Sequence, residues 1–184
     1  MPDGKTDQLH TFLAEEFVPH TDEYYIAIKQ MRDGDMIYFS LAGGMEVEEN
    51  RENVTELLVP TLENIPTLLD SLFMKPVDEN IKQTIVNHIT HLFNFYRAYG
   101  LVYLEINPFV ITSDGSIVNL DMVAKIDTCE SYRQTEHRNT LEFVKPFGTQ
   151  SYPAEDTIAA LDEKTGASLK LTIINPHGRL WFLL

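Results

Sequence analysis

Apolar and polar residues alternate with a period of two on either side of Ser113-Asp114-Gly115. Before the turn, Val102, Leu104, Ile106, Val110 and Thr112 alternate with Tyr103, Glu105, Asn107, Phe109 and Ile111. After it, Val118, Leu120, Met122 and Ala124 alternate with Ile117, Asn119, Asp121 and Val123. That period predicts two antiparallel strands. A hairpin loop of this length puts Gly at its last, left-handed position, so Thr112 faces Ser116 and Asn107 faces Asp121. In this register Leu104, Ile106, Val110, Val118, Leu120, Met122 and Ala124 share an apolar face. Glu105, Asn107, Asn119 and Asp121 share the other. A slip of one residue would mix the two sets, which a half-buried sheet does not tolerate. The polar face reads in two ways. Carboxylate and amide oxygens at this spacing suit a hard cation such as Mg²⁺, which keeps waters and bridges to phosphates. The same residues equally describe the solvated side of an antiparallel pair.

The rest of the pattern predicts a mixed α+β chain. Thr11 to Val18 reads as a short strand ended by Pro19. Tyr24–Met31 and Met36–Ser40 flank Arg32-Asp-Gly-Asp35, a hairpin turn. Ala42-Gly43-Gly44-Met45-Glu46 reads as a loop needing positive φ. It lacks the lysine and hydroxyl residue of a phosphate-binding loop, and no role is assigned to it. Leu57 to Phe73, broken by Pro60 and Pro66, suggests short helices with turns. Ile81, Ile85, Ile89, Leu92, Phe93 and Tyr96 recur at helical spacing, with Asp78 as the cap. His88 and His91 stand three apart on that helix, not the i, i+4 of a metal pair, and read as structural. A further helix is expected over Thr128–Arg138. Residues 1–142 form one domain on this reading. The Pro- and Gly-containing stretch Phe143–Tyr152 leads into a second, 143–184. There Pro153–Glu163 is helical with Pro153 in the first turn. Asp162-Glu-Lys-Thr165-Gly-Ala167 is a polar turn that Gly166 would end. Ser168–Ile174 and Leu180–Leu184 are strands flanking Asn175-Pro-His-Gly-Arg179.

Composition narrows the partners. The chain has 184 residues, 43% of them apolar and 10% aromatic, enough to bury a core. A net charge of −14 argues against nucleic acid or an anionic membrane as partner. It also means that a bound phosphate needs Mg²⁺ or cationic groups from elsewhere. Nothing in the sequence is long and apolar enough to span a membrane, and the polar start is no signal peptide. The lone Cys129 allows no internal disulfide and fits a reducing, cytoplasmic setting.

Leu104-Glu-Ile-Asn-Pro-Phe109 followed by Val118-Asn-Leu-Asp121 resembles the metal-binding end of the ATP-grasp fold in acyl-CoA synthetases of the succinyl-CoA synthetase β type. Within that group the chain is most similar to the ATP-citrate lyase family. Glu16-Phe-Val-Pro-His20, Gly148-Thr-Gln-Ser-Tyr-Pro153 and Leu161-Asp-Glu-Lys-Thr-Gly-Ala-Ser-Leu-Lys-Leu171 support the narrower family. The resemblance runs over nearly the whole chain and is weakest from about Val54 to Asn80. It implies an ATP-grasp-type mixed or antiparallel sheet flanked by helices, then the start of an α/β CoA-ligase domain. It implies ATP and Mg²⁺ as cofactors, with Asn107 and Asp121 as metal ligands and Asp121 also at the nucleotide. Glu105 would be a nearby charge positioned to orient a water. Glu16, Phe17 and Val18 would offer backbone contacts to the adenine. Glu23 would take the ribose hydroxyls, where composition alone reads it as a solvent-facing charge. A second divalent ion would sit on Asp162, Thr165 and the main-chain carbonyl of Ala167, unless that turn is only a helix stop.

In that family ATP phosphorylates a histidine with Mg²⁺ assistance, and the phosphoryl passes to citrate. Citryl phosphate reacts with CoA, and a lyase domain cleaves citryl-CoA to acetyl-CoA and oxaloacetate. No histidine of this chain lies in the phosphohistidine motif, and no nucleophile or catalytic base is evident. The implied partners are therefore the remainder of the same polypeptide and a second subunit or domain carrying the phosphohistidine and the lyase. The chain itself would be an internal fragment, inactive alone. Two departures stand out: Phe109 where Leu is usual, and Glu16 where Pro is usual, at the adenine contacts. Two other readings remain open. A succinyl-CoA or citryl-CoA synthetase subunit shares the E-x-N-P and Asp features. An acidic α/β interaction domain would carry no site at all.

Overall fold

The computed structural model describes residues 12–45, 47, 51–60, 65, 68–127, 152–165 and 169–180. The chain divides into two compact units, one of Glu15–Leu141 and one joining Met1–Ala14 to Glu142–Leu184.

In the larger unit β1 (Tyr24–Met31) and β2 (Gly34–Ser40) form the expected hairpin, with Met31 opposite Gly34. β3 (Thr55–Val59) pairs with β2, placing Leu57 opposite Ile37. This corrects the expectation of helix from Leu57. The Thr-Glu-Leu-Leu-Val segment is too short before Pro60 to close helical turns, whereas β2 offers a free edge. Between Leu57 and Phe73 the described helical structure is 3₁₀ only, at Ile65 and over Leu69–Leu72. Helix α1 (Glu79–Ala98) follows, then β4 (Leu101–Ile111), β5 (Ile117–Asn119) and β6 (Met122–Ile126). The sheet is antiparallel throughout, in the order β3-β2-β1-β4-β5, with β6 also on β4.

Local chemistry explains α1. Asp78 caps it, its Oδ1 accepting from the N–H groups of Asn80 at 2.9 Å and Ile81 at 3.3 Å. Ile85, Ile89, Leu92, Phe93 and Tyr96 form its buried stripe. They pack on Ile26, Ile28, Ile37, Leu104 and Ile106 of the sheet, each contributing about 2 kcal/mol of apolar burial. Gly100, at φ +60°, turns the chain from α1 into β4. The opposite, open face of the sheet remains for chemistry.

A polar tie fixes the β1–β2 turn to the helix. Buried Asp35 accepts from Arg97 Nε at 2.9 Å and from the Tyr96 hydroxyl at 3.4 Å, while the Arg97 guanidinium lies 4.3 Å from the Phe93 ring centre.

Two further expectations are corrected. Residues 12–23 contain no strand, and Phe12, Leu13 and Phe17 are exposed. Apolar alternation makes a strand only where a neighbour supplies the ladder, and none among the described residues does. In the smaller unit α2 (Pro153–Thr165) begins at Pro153 as expected. The described residues 169–180 hold a turn closed by Gly178 N–H to Asn175 carbonyl at 3.0 Å, but no strands. The expected helix over 128–138 and the strand Leu180–Leu184 past its first residue lie outside the described residues. No helix of the described residues is long and apolar enough to cross a membrane.

Replacing Asp35 tests the tie. Asp35→Ala strands a partly buried guanidinium and a phenol and should cost about 2–3 kcal/mol. Arg97→Ala should cost more, because it leaves the more buried partner, Asp35 at 13% side-chain exposure against 34% for Arg97, with only the Tyr96 hydroxyl. Urea denaturation of the two variants reads both, and equal costs would show that burial does not set the energy.

Candidate functional site

The hairpin register expected from the alternation is the one observed. Phe109 faces Asn119, Val110 faces Val118, Glu105 faces Val123 and Ile106 faces Met122. Thr112 N–H donates to Ser116 carbonyl at 2.9 Å, and Asn107 N–H to Asp121 carbonyl at 3.2 Å. Asn107 and Asp121 are therefore direct neighbours across the strand pair.

One member of the expected polar face is elsewhere. On β1, Tyr24 pairs with Phe109 and Ile26 with Ile106, so Asn107 and Pro108 together oppose the single residue Tyr25. This is a β-bulge, at a proline that has no N–H for the ladder. The Asn107–Pro108 bond is cis. The bulge shifts the alternation by one residue. Leu104 and Ile106 face the helix before it, and Phe109 faces the helix after it, all at 1% exposure or less. Asn119, opposite Phe109, goes with it. Its Oδ1 accepts from His88 Nε2 at 3.0 Å, and the His88 ring lies 5.1 Å from that of Phe109. Burial lowers the His88 pKa, partly offset by the Asn119 bond, so its role is structural, as the spacing implied.

Asn107 is held by an element to which the sequence assigned no role. Its Oδ1 accepts from Gly44 N–H at 2.7 Å, and its Nδ2 lies 3.5 Å from Gly44 carbonyl. Gly44 has φ +59°, and a Cβ there would overlap Oε2 of Glu23. A Cβ on Gly43 would stand 2.7 Å from the Tyr24 carbonyl oxygen. The diglycine thus lets a loop press against β1 while its amide orients Asn107. It brings Glu23, 84 residues before Asn107, beside the same loop. Glu23 Oε1 in turn accepts from His20 Nε2 at 3.1 Å, and His20 Nδ1 donates to Val18 carbonyl at 2.7 Å. The Val18 carbonyl and then Glu23 raise the His20 pKa.

The open face of β1, β2 and β4 forms a cleft of about 770 Å³ that runs from Asn107 past Glu105 and Ala27 to Lys29 and Tyr103. Tyr103 hydroxyl donates to Glu105 Oε2 at 2.8 Å, and burial followed by that carboxylate raises the phenol pKa. The small Ala27, between Tyr38 and Glu105 in the register, makes the floor. Of these lining residues only Glu105 and Asn107 stood out in the sequence. The alternation Tyr25, Ala27, Lys29 along β1 carried the signal for the others.

The donors suit Mg²⁺. Asn107 Oδ1 keeps a second lone pair beside the one given to Gly44, and the exposed Asp121 lies across the ladder. Among the described residues no group of three or more His, Cys, Asp or Glu forms a cage. One carboxylate and one amide oxygen match an ion that retains waters and binds phosphates. Of the expected adenine segment, Glu16 and Phe17 are exposed and outside any strand, and the Val18 carbonyl is engaged by His20. At the other expected cation site Asp162 Oδ1 accepts from Leu169 N–H at 2.6 Å, and Thr165 hydroxyl donates to Leu161 carbonyl at 2.7 Å. A helix stop accounts for both contacts; Ala167 lies outside the described residues.

This sheet, with its helix and its hairpin of oxygen donors, is the architecture of an ATP-grasp half-domain. The family model for the ATP-citrate synthase ATP-grasp domain matches residues 3–137, and that for the ATP citrate lyase citrate-binding region matches 149–184. ATP-citrate synthase from Bos taurus is 41% identical over 182 residues, 97% of this chain and 17% of the relative. ATP-citrate synthase alpha chain protein 1 from Arabidopsis thaliana is 37% identical, over 98% of this chain and 43% of its own length. The solved ATP citrate lyase from Methanothrix soehngenii, in complex with citrate and coenzyme A, superposes with a TM-score of 0.78 at 42% identity, covering 91% of this chain and 39% of that one. The chain belongs to the ATP-citrate synthase ATP-grasp family, an enzyme family, and spans less than half the length of these relatives.

Gly44→Ala should cost about 1–2 kcal/mol, from the left-handed φ and the overlap with Glu23. It should also shift the Asn107 side-chain amide resonances; unchanged resonances would mean that the loop does not orient Asn107. His20 titrates above the ordinary value near 6.5. A raised folded pKa gives stabilisation that is complete below 6.5 and lost as pH rises through the folded pKa. NMR titration of the ring should show this. In Glu23→Gln the midpoint should fall but stay raised, because the Val18 carbonyl is the larger cause.

Proposed function

We propose that this chain forms the Mg²⁺–nucleotide half-site of an ATP-citrate lyase. Such an enzyme converts ATP, citrate and CoA to acetyl-CoA, oxaloacetate, ADP and phosphate in the cytoplasm. The observation that carries the reading is the Gly43-Gly44 loop, which holds Asn107 across the ladder from Asp121 and lies beside Glu23. Asn107 and Asp121 would ligate Mg²⁺, and Asp121 would also approach the nucleotide. Glu23 would accept from the ribose hydroxyls, with His20 holding its other oxygen. Glu16, Phe17 and Val18 would meet the adenine edge through main-chain groups. Phosphoryl transfer depends mostly on positioning and on neutralising charge. In a chain of net charge −14 the bound cation supplies most of that neutralisation.

This chain offers no histidine of the phosphohistidine motif, so the phosphoryl acceptor would come from the rest of the same polypeptide or a second subunit. Citrate and CoA would bind there and in the region that begins at residue 149. Alone, the chain would be catalytically inactive.

Calorimetric titration of this chain with MgADP and MgATP, beside the Asn107→Ala/Asp121→Ala double variant, tests the reading. Saturable binding should weaken by roughly tenfold or more when both oxygen donors are removed. Binding that is equal in the double variant, or independent of Mg²⁺, would sink the assignment of these residues.

A further inference from the structure

The register places Lys29, Tyr103 and Lys125 side by side on three adjacent strands, β1, β4 and β6, at the end of the cleft remote from Asn107. Lys29 and Tyr103 both line the cleft, and the Lys125 ammonium stands 5.4 Å from the centre of the Tyr103 ring. Neighbouring strands lie about 4.8 Å apart, so the two lysines start roughly 10 Å apart at their Cα atoms. Their four-carbon stems reach easily across that gap.

Both cations are available to a ligand. In a chain of 28 acidic and 14 basic residues, Lys82 is engaged by Asp70 and Arg97 by Asp35. Among the described residues neither Lys29 nor Lys125 has such a partner. The acid nearest in register, Glu105, is one rung further along the sheet and takes its hydrogen bond from Tyr103. Two like charges sharing a rung repel, and a bound anion relieves that repulsion.

We propose that Lys29 and Lys125 form an oxyanion subsite, flanking Tyr103, that takes a phosphoryl or carboxylate group of a small molecule. Charge-assisted N–H···O bonds from two ammonium groups hold the anion over the ring edge of the cleft. The subsite lies two rungs, four residues of β4, from Asn107, or about 13 Å. It therefore holds a group other than one ligated by a cation at Asn107. It needs neither Asn107 nor Asp121, so it stands or falls separately from the nucleotide reading.

The test is a titration of this chain, metal-free, with inorganic tripolyphosphate and separately with citrate, following the lysine Nζ resonances by NMR. The Lys29 and Lys125 signals should shift together and saturate. Affinity should fall by roughly tenfold or more in Lys29→Gln/Lys125→Gln and persist in Asn107→Ala/Asp121→Ala. Both lysine positions are exposed, so the glutamine variants should fold, which circular dichroism checks. Response to tripolyphosphate alone assigns a phosphoryl group, to citrate alone a carboxylate, and to both an unselective oxyanion site. Shifts that fail to saturate, binding unchanged in the glutamine variant, or binding lost in Asn107→Ala/Asp121→Ala would each overturn the proposal.

Discussion

The pairing of β1 with β4 allots two residues, Asn107 and Pro108, to the space opposite Tyr25. Much of the rest follows from this mismatch. Without it, strict alternation would turn Phe109 to the open face and leave the end of the core unfilled beside Tyr24, whose ring now stacks on Phe109 at 5.3 Å. With it, β4 keeps its apolar residues toward α1 at both ends and still presents Glu105 and Asn107 to the cleft. A bulge of this kind re-aims a side chain without adding an element. Here it delivers the one amide that the diglycine loop captures.

Charge is distributed to match. An excess of acid over the whole chain leaves few cations, and two pairs among the described ones stand in contrast. Arg97 and Lys82 are engaged in fastening α1 to Asp35 and Asp70. Lys29 and Lys125 are left to the open face. Two carboxylates take neutral or locally held donors, Glu105 in the cleft from a tyrosine and Glu23 beside the diglycine loop from a histidine held by the Val18 carbonyl. The cleft thus carries the Asn107 amide at one end, Glu105 and Glu56 on the Ala27 rung in its middle, and the Lys29 ammonium at the other end.

The strands and the helix with buried faces were legible from local pattern. The β4–β5–β6 register follows from residue period and one glycine turn, and Asp78 with its apolar stripe marks α1. Both are decided within a few residues of the chain. Three expectations failed for a common reason. Among the described residues, 12–18 of the expected strand Thr11–Val18 have no neighbour, Leu57 lies in a short apolar run that β2 recruits, and 169–180 hold a turn without strands to join. Whether a short apolar run becomes a strand depends on an edge that lies far away in sequence.

The candidate site divides in the same way. The sequence by itself determined that Asn107 and Asp121 face each other, because a period of two and a fixed loop length leave one register. It also carries the family resemblance from which the metal-ligand role proposed for them comes. Only the tertiary structure decided that Asn119 leaves the polar face, because the bulge depends on β1. It likewise decided that Gly44 holds Asn107 and makes room for Glu23, and that Lys29 and Lys125 share a rung. Each of these joins residues tens of positions apart, and no local periodicity encodes a contact across strands that the chain reaches only after folding.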